Sequence, residues 1–139
     1  MKYSLTHPKS ARTGENVYYE QNNDSNNERF LERAIENWKL EIIKQKNVEW
    51  SPYYGVEKEE DFNKIRNGIQ LIWAKSDEIG CALNHWTEAD FSNHSILICR
   101  YGYLVAEIGQ TIYESGVPCS NCPNWTECVE GICRQKKQS

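Results

Sequence analysis

Leu31, Ile35, Trp38 and Ile42 recur at i, i+4, i+7 and i+11, with charged residues between them. That period predicts an amphipathic helix over residues 28–44, its apolar stripe turned to a core. The polar run 21–27 has nothing to bury and supplies an N-cap, and Glu28 stands in the first turn, where the helix dipole favours an anion. Upstream, Gly14-Glu15-Asn16-Val17-Tyr18-Tyr19 reads as a turn feeding a short strand. Residues 47–61 are irregular, punctuated by Ser51-Pro52 and Tyr54-Gly55. A second, shorter helix is expected over 68–75, with Ile69, Ile72 and Trp73 inward. Two strands follow, 79–85 and 96–101, joined by a polar loop over 87–94; the second is β-branched and aromatic, as a half-buried strand should be. There is no internal repeat.

The apolar pattern stops in the tail, where Cys119, Cys122, Cys128 and Cys133 are interleaved with Pro, Gly and Asn. Such a segment cannot bury enough surface to hold one conformation, so it needs covalent cross-links or a metal. Zinc held by four thiolates usually takes two separated Cys-x2-Cys pairs, and only Cys119 and Cys122 have that spacing. Disulfides are the better reading, and they point to an oxidising compartment. Cys81 and Cys99 sit inside the two expected strands, where a bridge could tie neighbours together.

At 139 residues the chain has room for one domain and a small appendage. Only 39% of residues are hydrophobic, but five Trp and eight Tyr can still build a core. A net charge of −4 argues against a nucleic-acid surface, and Arg134, Lys136 and Lys137 read as a solvated end. No apolar run approaches the ~20 residues that cross a bilayer. Residues 1–10 lack the apolar core of a signal peptide, whereas the cysteines favour export. Asn23, Asn93 and Asn124 are Asn-x-Ser/Thr acceptors compatible with it.

Four segments, in order, resemble signatures of the CAP superfamily of cysteine-rich secretory, antigen 5 and pathogenesis-related proteins. Gly14-Glu15-Asn16-Val17-Tyr18 resembles G-E-N-[IL]-Y, and Trp38-Lys39-Leu40-Glu41-Ile42 resembles W-W-x-E-L. Gln70-Leu71-Ile72-Trp73, then Ile79-Gly80-Cys81, resembles the G-H-[FY]-T-Q-[MLV]-[VI]-W block ending in I-G-C. Ile98-Cys99-Arg100-Tyr101-Gly102, with Ile108 to Glu114 and Gly116 to Cys122, resembles the last signature and the hinge of nematode activation-associated secreted (venom-allergen-like) proteins. The resemblance implies an α+β fold, the α-β-α sandwich of the CAP type, incomplete at its N-terminus. It also implies a CAP domain over 1–114 (the C-terminal two-thirds of the usual one) and a disulfide-rich hinge over 115–139. A sandwich lacking one helix and one strand exposes a face and a sheet edge. The implied pairings are Cys81 with Cys99, Cys119 with Cys128 and Cys122 with Cys133; Tyr3 stands where a further family Cys is expected.

The family places two His and two Glu around a cavity that binds a divalent metal in some members. By resemblance His7, Glu15 and Glu41 occupy three of these positions, and the fourth falls on Asn67. An amide nitrogen has no lone pair for zinc and an amide oxygen is a weak donor, so no metal or other cofactor is expected. Glu15 and Glu41 are expected as a structural pair, and His85 and His94 as exposed residues beside a polar loop. The family's Tyr-x-Pro-x-Gly-Asn turn has become 101–106, with its Pro, Gly and Asn all replaced. No Ser or free Cys lies in a nucleophile context, so catalysis is not expected.

The resemblance implies a secreted, non-enzymatic protein at a host–parasite boundary, binding a host protein, a cell-surface receptor, a sterol or a fatty acid. Residues 22–27 and 47–61 are the expected contact loops, with Trp50, Tyr53 and Tyr54 as aromatic anchors or as cover for the core. A metal-dependent hydrolase using Glu15, Glu41 and His7, and a truncated paralogue without activity, are the alternatives.

Overall fold

A computed structural model describes residues 14–45, 59–102 and 111–138. The expectations placed on Tyr3, His7, Trp50, Tyr53 and Tyr54 fall outside these residues. The element order is β1 (Glu15–Gln21), α1 (Asn27–Ile43), α2 (Glu59–Leu71), β2 (Ile79–Thr87), β3 (Asn93–Tyr101), β4 (Thr126–Val129) and β5 (Ile132–Gln135). The main sheet is antiparallel in the order β1-β3-β2, with Tyr18 and Leu83 both opposite Leu97. β4 and β5 form a separate hairpin.

Helix α1 starts where expected, because Asn26 caps it: its Oδ1 accepts from Arg29 N at 2.9 Å. Its buried face differs from the expected stripe. Phe30, Ala34 and Trp38 are buried, whereas Leu31 and Ile35 are 38% and 47% exposed. The inward line runs i, i+4, i+8 and meets Leu97, Cys99 and Tyr101 on one sheet face. Alanine at position 34 is what lets the helix lie close, and a search for large apolar residues passes it over. Arg33 lies beside that line, where it chelates Glu20 through Nε (3.0 and 3.2 Å) and reaches Asp24 through Nη1 (3.1 Å). The hydrogen bonds from Arg33 hold the Glu20 carboxyl below its ordinary pKa and tie the β1–α1 loop to the helix.

Helix α2 lies about nine residues upstream of its expected start. Phe62, Ile65 and Ile69 form its buried line and join Trp73 and Ile112 in a second cluster. Trp73 is buried but follows the helix, and Ile72 is 41% exposed. Acidic residues before Phe62 masked the helical period. Both clusters lie on the helical side of the sheet; among the described residues, β2 is mostly exposed along its length and Ile79 is 59% exposed.

Cys81 and Cys99 are directly opposed across β2 and β3 and are bonded to each other. In the tail, Cys119 bonds Cys128 and Cys122 bonds Cys133, stapling the loop before β4 onto the hairpin. That hairpin turns through Glu130 (φ 50°) and Gly131 (φ 82°), the double left-handed geometry of a type I′ turn.

The buried line of α1 carries a direct test. Phe30→Ala should lower stability by about 3–5 kcal/mol, whereas Leu31→Ala should cost under about 1 kcal/mol, measured by denaturant unfolding of the oxidised protein. Equal losses would contradict the observed face.

Candidate functional site

Gly68 in α2 faces Trp38 on α1 so closely that a Cβ would sit 2.6 Å from the Trp38 carbonyl oxygen. Only glycine permits that approach, and the approach brings Glu41, in the last turn of α1, onto α2. Glu41 Oε1 accepts from Asn67 Nδ2 at 2.9 Å, and Oε2 accepts from Gly68 N at 2.9 Å. The amide is used at both ends, since Asn67 Oδ1 accepts from Val17 N at 3.1 Å. Trp38 Nε1 donates to Val17 O at 3.2 Å. Both outward backbone groups of Val17 on the edge strand β1 are therefore satisfied by helix side chains, which blocks strand addition there.

Asn16, fully buried, completes the cluster. Its Nδ2 donates to Asn67 O (3.0 Å) and to the Tyr101 hydroxyl (3.2 Å). Asn16 Oδ1 has no hydrogen-bond partner among the described residues, at a cost of about 1–3 kcal/mol. Burial pushes Tyr101 up to about 12. Burial also pushes the Glu41 carboxyl above its ordinary value, against the pull of the Asn67 and Gly68 hydrogen bonds.

Glu15 does not share this cluster in the way expected. It precedes Asn16 on a strand whose side chains alternate faces, and its Oε2 accepts from Arg100 Nε at 3.1 Å. Glu15 is buried while the Arg100 side chain is 67% exposed. Arg100 borders an open groove of about 650 Å³ lined also by Asp77, Glu78, Ile79, Gly80, Tyr101 and Gly102. The expected Glu15–Glu41 pair is thus replaced by two separate contacts, Glu15 with Arg100 and Glu41 with Asn67.

These residues do not fit a metal. Asn67 presents an N–H to Glu41 where a ligand would present a lone pair, and both Glu41 oxygens already accept hydrogen bonds. No group of three His, Cys, Asp or Glu able to hold a metal ion occurs among the described residues.

His85 is exposed, with Nδ1 2.6 Å from Ser95 Oγ and Nε2 2.7 Å from Asn27 Oδ1. His94 is only 5% exposed, contrary to expectation. β3 begins at Asn93, which carries His94 off the loop and under the Tyr19 and Trp86 rings. Of the acceptor asparagines, Asn23 and Asn124 are exposed and Asn93 is half-buried. Asn16, Gly68 and Tyr101 carried no assigned role in the sequence reading, although Asn16 lies within the Gly-Glu-Asn motif.

Glu41 sets a pH dependence of known sign. A carboxyl whose folded pKa lies above its unfolded value favours the folded state most when protonated. Wild type should lose stability relative to Glu41→Gln as pH rises from about 4.5, read as the difference between their unfolding midpoints across pH 4–7. A widening advantage for wild type over that window would contradict the burial of this group.

No protein-family model matches the chain. Hookworm platelet inhibitor 1 of Ancylostoma caninum is 36% identical over 62 residues, covering 45% of this chain and 29% of that protein. Human cysteine-rich secretory protein 2 is 26% identical over 131 residues, covering 93% of this chain and 48% of that protein. Among solved structures, Na-ASP-1 superposes with a TM-score of 0.72 at 26% identity, covering 95% of this chain and 33% of that one. The chain spans less than half the length of the curated relatives it matches. Matches that run from β1 into the tail, on a shared fold, make this chain similar to CAP superfamily proteins, among them the nematode activation-associated secreted and venom-allergen-like proteins.

Proposed function

We propose that this chain is an extracellular CAP protein that acts by binding a host cell-surface protein and not by catalysis. The observation that carries the reading is the state of Glu41. Its two carboxylate oxygens are held by Asn67 Nδ2 and Gly68 N, so this acid serves as a structural fastener. Each oxygen already accepts one hydrogen bond from α2, which fixes the carboxylate against that helix. Six cysteines paired in three bridges support an oxidising, extracellular setting.

The relative named for inhibiting platelets supports a host-directed role, and blood cells are the first place to look. In this reading residues 1–114 form the CAP unit and 115–139 an appended hinge. The groove beside Arg100 is open and rimmed by Asp77 and Glu78, which suits neither a sterol nor a fatty acid. No helix among the described residues is long and apolar enough to cross a membrane.

Calorimetric titration of the oxidised protein with zinc should show no tight one-to-one binding, and the protein should bind washed platelets or leukocytes saturably. Tight stoichiometric zinc binding that is lost in Glu41→Ala would restore the hydrolase reading and sink this one.

A further inference from the structure

The β2–β3 hairpin ends in a three-residue loop. Phe91 N donates to Glu88 O at 3.0 Å, and Glu88 N donates to Ser92 O at 2.9 Å. Phe91 takes the left-handed position of this loop, φ 64°, which such hairpins normally give to glycine. A bulky side chain is strongly disfavoured there. Phe91 is also 86% exposed, so no packing within the described residues accounts for it.

The tip is held in shape from beneath. Asp90 Oδ1 accepts from Ser92 N (3.0 Å) and from Ser92 Oγ (2.5 Å). Ser92 Oγ lies 2.7 Å from His94 Nε2, and His94 Nδ1 lies 2.6 Å from the Tyr19 hydroxyl. Thr87 Oγ1 donates to Asn93 Oδ1 at 2.7 Å, and Asn93 Nδ2 donates to Asn23 Oδ1 at 3.2 Å, linking the tip to the β1–α1 loop. Glu88 and Asp90 precede Phe91 in the same loop, Glu88 Oε2 lies 3.9 Å from His94 Nε2, and residues 87–94 contain no Lys or Arg.

Resting on the binding reading above, we propose that this tip is a recognition finger. Phe91 enters an apolar pocket on a host protein whose rim carries Lys or Arg opposite Glu88 and Asp90. A rigid aromatic anchor loses little conformational freedom on docking, which is why such residues dominate binding energies. The two acids disfavour an anionic lipid surface as the target.

The test uses labelled, oxidised full chain, washed human platelets and leukocytes with and without trypsin treatment, and vesicles containing phosphatidylserine. Binding to cells should be saturable, abolished by trypsin and weakened by added salt, and vesicles should bind none. Phe91→Gly should weaken cell binding by about tenfold or more while its unfolding midpoint holds or rises by a few degrees, because glycine relieves the backbone. Phe91→Trp should retain binding, and Glu88→Lys should weaken it. Wild-type binding that Phe91→Gly leaves unchanged overturns the finger alone. Absence of any wild-type cell binding overturns the finger together with the binding reading. Binding to vesicles overturns the protein pocket, and a lower unfolding midpoint in Phe91→Gly makes Phe91 a packing residue.

Discussion

Where α1, α2 and β1 meet, one carboxylate and one amide close every local hydrogen-bonding demand but one. Glu41 takes two donors from α2, and Asn67 passes its acceptor on to Val17. The contact exists only because Gly68 has no side chain, which lets α2 approach the Trp38 carbonyl. Trp38 then supplies the donor that satisfies the other outward group of Val17. The helical layer is thereby fastened to the sheet at its edge, with the outward groups of Val17 taken up by helix side chains. Asn16 Oδ1, without a hydrogen-bond partner among the described residues, shows that the fit is imperfect.

This arrangement explains which parts of the fold were legible. Residues 15–19, 79–85 and 96–101 alternate or are β-branched, and all three strands formed there, extended by two to three residues at their loop ends. The first helix was legible from its period and its Asn cap. Its inward face was legible only at Trp38, because Ala34 and Phe30 carry the rest of the contact while Leu31 and Ile35 face out. Helix α2 was misplaced for a related reason. Its buried line of Phe62, Ile65 and Ile69 is separated by charged residues, and Ile72 and Trp73 offered a stronger but shorter pattern.

The site was legible only in part. Motif matching brought out Glu41 and Asn67, which a hydrogen bond joins in the structure. Glu15 was assigned to the same cavity, yet strand alternation turns Asn16 toward Asn67 and leaves Glu15 with Arg100. Gly68 carried no signal, because a glycine inside a helix reads as a weakness until the partner helix is known. His94 was missed because a strand boundary shifted by three residues converts a loop histidine into a buried one.

At the periphery the sequence motifs constrain one another. Asn23 and Asn93, both glycan acceptors, lie at the base of the Phe91 tip and hydrogen-bond to each other. A glycan on Asn93 would disturb its bonds to Thr87 and Asn23. A glycan on Asn23 would remove one of these bonds. Asn124 is exposed in the disulfide-stapled tail, and no hydrogen bond links its side chain to the tip. An unmodified Asn93 therefore holds the base of the tip to the β1–α1 loop in this structure.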